Sequence, residues 1–219
     1  MTIVYGHGNE ESINRLGSFG VCRKLGAHGV ELDVRRTEDD QLVAIHDHAL
    51  VDGRHIAGTK RADLPDFIPD LADVLDECRG MKVNIEIKNY PRDPAFDPTQ
   101  RVTELTLELL AGRSDDVLIS CFDFACIDVA KGSVPTAMLY LSRRPAHELL
   151  DAVIEHGHGI VHPYDTMVDE AFIDEARARG LGVNVWLDAG EERMRELVSV
   201  GVDGLITHDV EGALRASDV

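Results

Sequence analysis

The sequence predicts an α/β chain folded as a single (β/α)8 TIM barrel, and three observations carry that expectation. Short β-like runs alternate with amphipathic helical patterns from end to end, eight of each once one extra strand is set aside. Several helical patterns end on glycine, at Gly26, Gly80, Gly112 and Gly180, just before the next apolar run, which suits a left-handed helix end. No glycine-rich phosphate fingerprint follows the first run, which disfavours the alternative, a doubly wound open sheet. Eight is also the number of units that closes a barrel.

Taken in order, the strands are expected at 2–5, 29–34, 82–88, 116–121, 136–141, 159–162, 182–187 and 203–207, with the extra one at 42–46. The helices are expected at 11–25, 71–79, 99–112, 123–131, 145–156, 168–179, 190–200 and 209–216. "ARARGLGVNVW" and "LVSVGVDGLIT" are helix–glycine–strand junctions of the usual α/β kind. Two irregular stretches interrupt the alternation: 49–70, rich in Gly, Pro, Asp and Arg, and "NYPRDPAFDPTQ" at 89–100. Long loops after barrel strands shape the mouth, so both belong near a substrate. The 219 residues therefore read as one domain, 1–219, with a short mouth insertion at about 49–70.

Composition excludes several function classes. Lys and Arg number 22 against 40 Asp and Glu, a net charge of −18, which argues against nucleic acid and anionic membranes. No apolar run approaches the eighteen residues a membrane span needs, so no integral membrane segment is expected. The start, MTIVYGHGNEES, has neither a basic leader nor a long apolar stretch, so no secretory signal is expected there. The four cysteines, Cys22, Cys78, Cys121 and Cys126, form no C-x-x-C pair and suggest neither a zinc site nor a disulfide framework. A cytoplasmic location is the resulting default. Oligomeric state is not encoded in any pattern here.

The chemistry concentrates in "GVELDVRRTEDDQLVAIHDH" and "VNIEIKN". Strand residues i and i+2 share a face, so Glu31 and Asp33 point one way and Val30, Leu32 and Val34 the other. Asn84, Glu86 and Lys88 likewise oppose Val83, Ile85 and Ile87. In a barrel the apolar set faces the helices, which sends Glu31, Asp33 and Glu86 to the interior or its upper rim. Burying unpaired carboxylates is costly, and two remedies are open: a bound cation, or a salt-bridge network with Lys88, Arg35 or Arg36. Three hard oxygen donors favour Mg2+ or Ca2+ over zinc.

His7 directly follows the first strand and His46 ends the extra strand, so both belong at the C-terminal mouth, where two imidazoles can serve as acid and base. In "EHGHGIVHP", His156 and His158 are expected to decorate a helix end, and His162 ends a strand from which it could reach the mouth. The triplet at 46–48 could supply two zinc ligands, although no second pair of histidines stands at a compatible position. Asp47 is expected to order the loop and His48 to face solvent.

These segments resemble the glycerophosphodiester phosphodiesterase family, a phospholipase-C-like barrel. "LGAHGVELDVRRTEDDQLVAIHD" (25–47) carries the most specific likeness. "IPDLADVLD" (68–76), "NIEIK" (84–88), "CFD" (121–123), "VNVW" (183–186) and "GVDGLIT" (201–207) follow in the family's order. The resemblance implies that Glu31, Asp33 and Glu86 ligate a divalent cation, Mg2+ or Ca2+, and that His7 and His46 are the acid–base pair. It implies a phosphate contact at Lys88, a substrate-facing aromatic at Trp186, and a substrate-side role for Asn14. The substrate would be a small phosphodiester, cleaved to an alcohol and a phosphomonoester. Two positions depart from the family pattern: Gly8 stands where it has Arg, and Ile13 where it has an acid. Spider-venom phospholipase D toxins, a related branch, also lack that Arg and release cyclic phosphates. Cyclisation or transfer of another diester, and a barrel that binds a phosphorylated ligand without cleaving it, are therefore the alternative readings.

Overall fold

The computed structural model describes residues 1–8, 13–140 and 145–218. Nine strands are present among them: β1 Ile3–Gly6, β2 Gly29–Arg36, β3 Leu42–Ala44, β4 Lys82–Ile87, β5 Asp116–Cys121, β6 Thr136–Tyr140, β7 Ile160–Pro163, β8 Gly182–Trp186 and β9 Gly204–Thr207. Eight helices cover them: α1 Ser18–Leu25, α2 Leu71–Glu77, α3 Arg101–Leu110, α4 Phe124–Ala130, α5 Ala146–Glu155, α6 Glu170–Ala178, α7 Glu191–Val200 and α8 Val210–Ser217. The eight parallel strands run in the order β1, β2, β4 to β9, and β9 pairs back onto β1 to close the barrel. The extra strand β3 pairs antiparallel with the far half of β2, Val34 opposite Ala44 and Arg36 opposite Leu42. No described helix is long and apolar enough to cross a membrane.

The alternating strand pattern produces the expected division of faces. Val30, Leu32, Val34, Val83, Ile85 and Ile87 are buried in one hydrophobic cluster with Leu71, Val74 and Leu75 of α2. A second, smaller cluster of Val43, Ile56, Leu64 and Ile68 sits under the insertion. The segment at 49–70 therefore has its own apolar anchor. It carries two 3-10 turns, Ile56–Gly58 and Arg61–Asp63.

The first helix is shorter than expected, beginning at Ser18 instead of residue 11, of which 11 and 12 lie outside the described residues. Asn14 and Gly17 have φ of 59° and 92°, a left-handed backbone that an α-helix cannot pass through. The strand expected at 136–141 ends at Tyr140; Leu141 is outside the described residues. All four cysteines are free and buried, and burial pushes the Cys78 thiol up to about 12, as suits inert packing.

Gly29 opens β2 where there is no room for a side chain. A Cβ there would lie 2.8 Å from the Lys82 carbonyl oxygen, part of the backbone, and 2.7 Å from the Tyr5 ring. Gly29→Ala is expected to lower stability by about 1–3 kcal/mol, the usual cost of forced overpacking. A denaturant titration showing an unchanged midpoint would contradict that.

Candidate active site

Strand register assembles the site. β2 and β4 pair with Glu31 opposite Asn84 and Asp33 opposite Glu86, so the inward carboxylates of two strands lie side by side. β1 pairs with β2 at Gly6 and Val30, which brings the next residue, His7, level with Glu31. Its Nδ1 contacts a Glu31 carboxylate oxygen, and its Nε2 lies 3.8 Å from Asp33. The Lys88 ammonium is 2.8 Å from Asp33 and also pairs with Glu86. His7, Glu31, Asp33, Asn84, Glu86, Lys88, His46 and Trp186 all line one cavity of about 380 Å³ at the barrel mouth.

Asn14, expected on the substrate side, engages Asp33 with its amide. It donates to the carboxylate at 2.7 Å and accepts from the Asp33 backbone N–H at 2.9 Å, and the residue is buried. The first of these bonds and the Lys88 ammonium hold the two carboxylate oxygens of Asp33 from different sides. His46 stands at the rim, its side chain 60% exposed, with Nδ1 2.9 Å from Asp47. The loop is held from below: buried Arg35 donates to the His46 carbonyl at 2.8 Å and pairs with Asp93. Asp47 thus contacts His46, while His48 is only partly exposed and packs near the His55 ring.

Three carboxylates of this cavity face two cationic groups, Lys88 and His7. Of the three cations weighed as internal partners, only Lys88 joins the carboxylates; Arg35 pairs with Asp93, and Arg36 with Asp40 and Asp97. Burial raises the Glu86 pKa, and Asp33 and Glu31 add to this against Lys88, so that it reaches about 7. For His7, burial would lower the pKa, but the Glu31 and Asp33 charges outweigh it and hold it near 10. Asp33, despite burial, is kept below the usual carboxylate range by Lys88, His7 and His46. Glu31 Oε1 is buried without a hydrogen-bond partner. An orphaned carboxylate oxygen beside two further acids is a donor set that fits a hard divalent cation. His7, Glu31 and Asp33 bring one ligand atom each within 4.8 Å of one another, whereas the Glu86 carboxylate is turned to Lys88.

The wall opposite the carboxylates is aromatic. Trp186 packs against Tyr164 at 4.5 Å between ring centroids and edge-on to Phe122 at 6.3 Å, and Phe122 meets Tyr90. His208 also lines the cavity, its ring 4.9 Å from that of His7. Its Nδ1 is 2.8 Å from the Gly8 carbonyl, and its Nε2 lies 3.9 Å from Asp188. Gly8 adopts φ 74°, which a side chain such as Arg would strain. The sequence reading passed over His208, although "LITH" places a histidine directly after a strand, the same signal that singled out His7. His162 does not line the cavity: it is fully buried, bonded to Asn184 at 2.9 Å. His156 caps the end of α5 as expected, but His158 is buried and not a surface decoration.

A model of the Glycerophosphoryl diester phosphodiesterase family matches residues 6–212. The chain is 26% identical, over an alignment of 237 positions, to the glycerophosphodiester phosphodiesterase of Caldanaerobacter subterraneus subsp. tengcongensis, covering 96% of this chain and 95% of that one. In fold it is similar to an Oleispira antarctica phosphodiesterase solved in complex with the product sn-glycerol-3-phosphate, at TM-score 0.88 and 19% identity, over 100% of this chain and 97% of that one. It is similar also to the glycerophosphodiester phosphodiesterase of Thermotoga maritima, at TM-score 0.83 and 23% identity, over 98% of each chain.

Proposed function

The chain belongs to the glycerophosphoryl diester phosphodiesterase family, and from that premise we propose that it is a divalent-cation-dependent hydrolase of small glycerophosphodiesters, yielding an alcohol and a phosphomonoester such as glycerol 3-phosphate. The observation that carries the reading is the convergence of Glu31, Asp33 and Glu86 with Lys88 and His7 in one cavity. Phosphoryl transfer needs concentrated positive charge, and a surface of net charge −18 supplies none by itself.

Glu31, Asp33 and Glu86 are the residues assigned to hold Mg2+ or Ca2+. When bound, such a cation would screen the diester's negative charge and, as a Lewis acid on a phosphoryl oxygen, make the phosphorus more open to attack. Lys88 adds a fixed positive charge beside the non-bridging oxygens, at the price of turning from Glu86. His7 and His46 are assigned as the acid–base pair: one takes a proton from the glycerol hydroxyl next to the ester as it attacks phosphorus, the other gives one to the departing alkoxide. Water then opens the resulting cyclic phosphate to the monoester with the roles reversed. Asn14 acts through Asp33, as a positioning residue. The ring of Trp186 offers an apolar face to the carbon skeleton of the alcohol, with Tyr90 and Phe122 extending it. Four free, buried cysteines support a reducing, cytoplasmic setting.

Purified protein with Mg2+ or Ca2+ is expected to release alcohol from glycerophosphodiesters, with a linear phosphomonoester as the phosphorus-NMR product. Accumulation of a stable cyclic phosphate would replace hydrolysis by cyclisation. Binding without any product across a broad diester panel would replace catalysis by ligand capture.

A further inference from the structure

At the end of the barrel opposite the mouth, a second group of metal-ligating side chains is assembled from two elements. Asp128 lies on α4; His156 and His158 lie in the turn between α5 and β7. The two oxygens of Asp128 are 2.9 Å from His156 Nδ1 and 2.8 Å from His158 Nε2. Among the described residues, this group and the His7 group each bring three ligand atoms within 4.8 Å of one another. It differs from the mouth in kind: two imidazoles and one carboxylate instead of mostly oxygen donors.

Three features are those of a built site. His158 has a fully buried side chain, and its other ring nitrogen, Nδ1, is 2.7 Å from the hydroxyl of Thr136, also buried. Metal-bound histidines are held in this way through their second nitrogen. The His156 ring is stacked on Phe124 at 3.9 Å between centroids and 10° between planes, which fixes its direction. Asp128 and His156 are partly exposed, at 36% and 40%, so an ion has a path in and a fourth position for water. Lys131 is the opposing charge: its ammonium bonds the His156 carbonyl at 2.7 Å. The carbonyl is main chain, so that contact leaves the imidazole free.

The geometry points to a basal site for a borderline transition-metal ion, with zinc as the natural occupant, held by Asp128, His156 and His158. Zinc takes imidazole nitrogen and carboxylate oxygen at about 2.0–2.2 Å in a tetrahedron, which sets the donor atoms about 3.3 Å apart. The two Asp128–histidine separations, made by different carboxylate oxygens, would open by roughly 0.5 Å to reach that value, and the imidazole nitrogens already lie within 4.8 Å of each other. His158 now donates from Nε2 to Asp128 and accepts at Nδ1 from the Thr136 hydroxyl. With zinc on Nε2 the ring proton moves to Nδ1 and the Thr136 hydroxyl turns to accept it. The ion would tie α4 to the α5–β7 turn, 28 residues apart at the nearer pair.

The test uses the full chain with zinc as the probe and saturating Mg2+ present. Because zinc can also enter the mouth, retained metal is measured after gel filtration in wild type, Glu31→Gln, His156→Ala, and Glu31→Gln combined with His156→Ala. One zinc per chain is expected to survive in Glu31→Gln and to be lost when His156→Ala is added. His156 is partly exposed, so its replacement is compatible with folding, and diester turnover in His156→Ala is expected to match wild type. Thr136→Val, which keeps the volume and removes the hydroxyl, is expected to weaken zinc binding about 10–100-fold. Zinc retained equally in the double variant, or none retained in Glu31→Gln, would overturn the site. Neither result bears on the chemistry at the mouth.

Discussion

His7→Ala is expected to lower turnover of a glycerophosphodiester by about 10²–10⁴, the usual cost of removing a group that moves a proton in the transition state. The imidazole is where two requirements meet. It directly follows β1, so strand pairing fixes its backbone, and its ring lies between Glu31 and Asp33, so two charges fix its orientation. Glu31→Gln is expected to be comparably inactive for a different reason. The replacement is nearly isosteric but removes a full negative charge from the donor set, so activity should recover in part at much higher cation concentration. His7→Ala should not recover that way. Initial rates across a Mg2+ and Ca2+ series separate the two, with circular dichroism checking that both variants fold. Turnover within twofold of wild type in His7→Ala would remove that residue from the mechanism.

Why the carboxylates were legible and other residues were not follows from what a single strand can reveal. Glu31 and Asp33, and Asn84, Glu86 and Lys88, are pairs and triples at spacing two, so their shared face is written locally. The order of the strands then makes β2 and β4 neighbours, and their register sets Asp33 beside Glu86. His208 is different. It meets His7 only because β9 pairs with β1, 201 residues away, and that closure is a property of the whole barrel. Arg35 was weighed as a partner for the carboxylates, but it pairs with the His46 carbonyl and Asp93, partners 11 and 58 residues along the chain. The basal group was missed for the same reason as His208: Asp128 is separated from its histidines by a whole strand and helix. The overlong first helix has a local cause that the apolar periodicity hides, the left-handed backbone at Asn14 and Gly17.

The largest stability effect expected away from the mouth concerns His162. Its Nε2 accepts a hydrogen bond from the Asn184 amide at 2.9 Å, so its proton sits on Nδ1, which is buried without a partner. A second proton would break the bond to Asn184 and place a charge in the barrel interior with no counterion. Burial accordingly lowers its pKa to about 3, against about 6.5 for an unfolded histidine. The folded pKa lies below the unfolded one, so above about pH 6.5 neither state is protonated and the group has no effect. Between about 6.5 and 3 only the unfolded chain takes up the proton, and stability falls with pH at about 1.4 kcal/mol per unit. Below about 3 both states are charged and the fall stops. Other groups, Asp33 among them, also lose stability toward acid, so the informative quantity is a difference between two proteins. His162→Gln keeps a polar group facing Asn184 and removes the titration. Between pH 6.5 and 4.5, wild type is expected to lose about 2–3 kcal/mol more than His162→Gln in urea unfolding. Parallel stability curves for the two proteins would mean that His162 is charged in the folded state, and that a counterion or water reaches the barrel interior beside it.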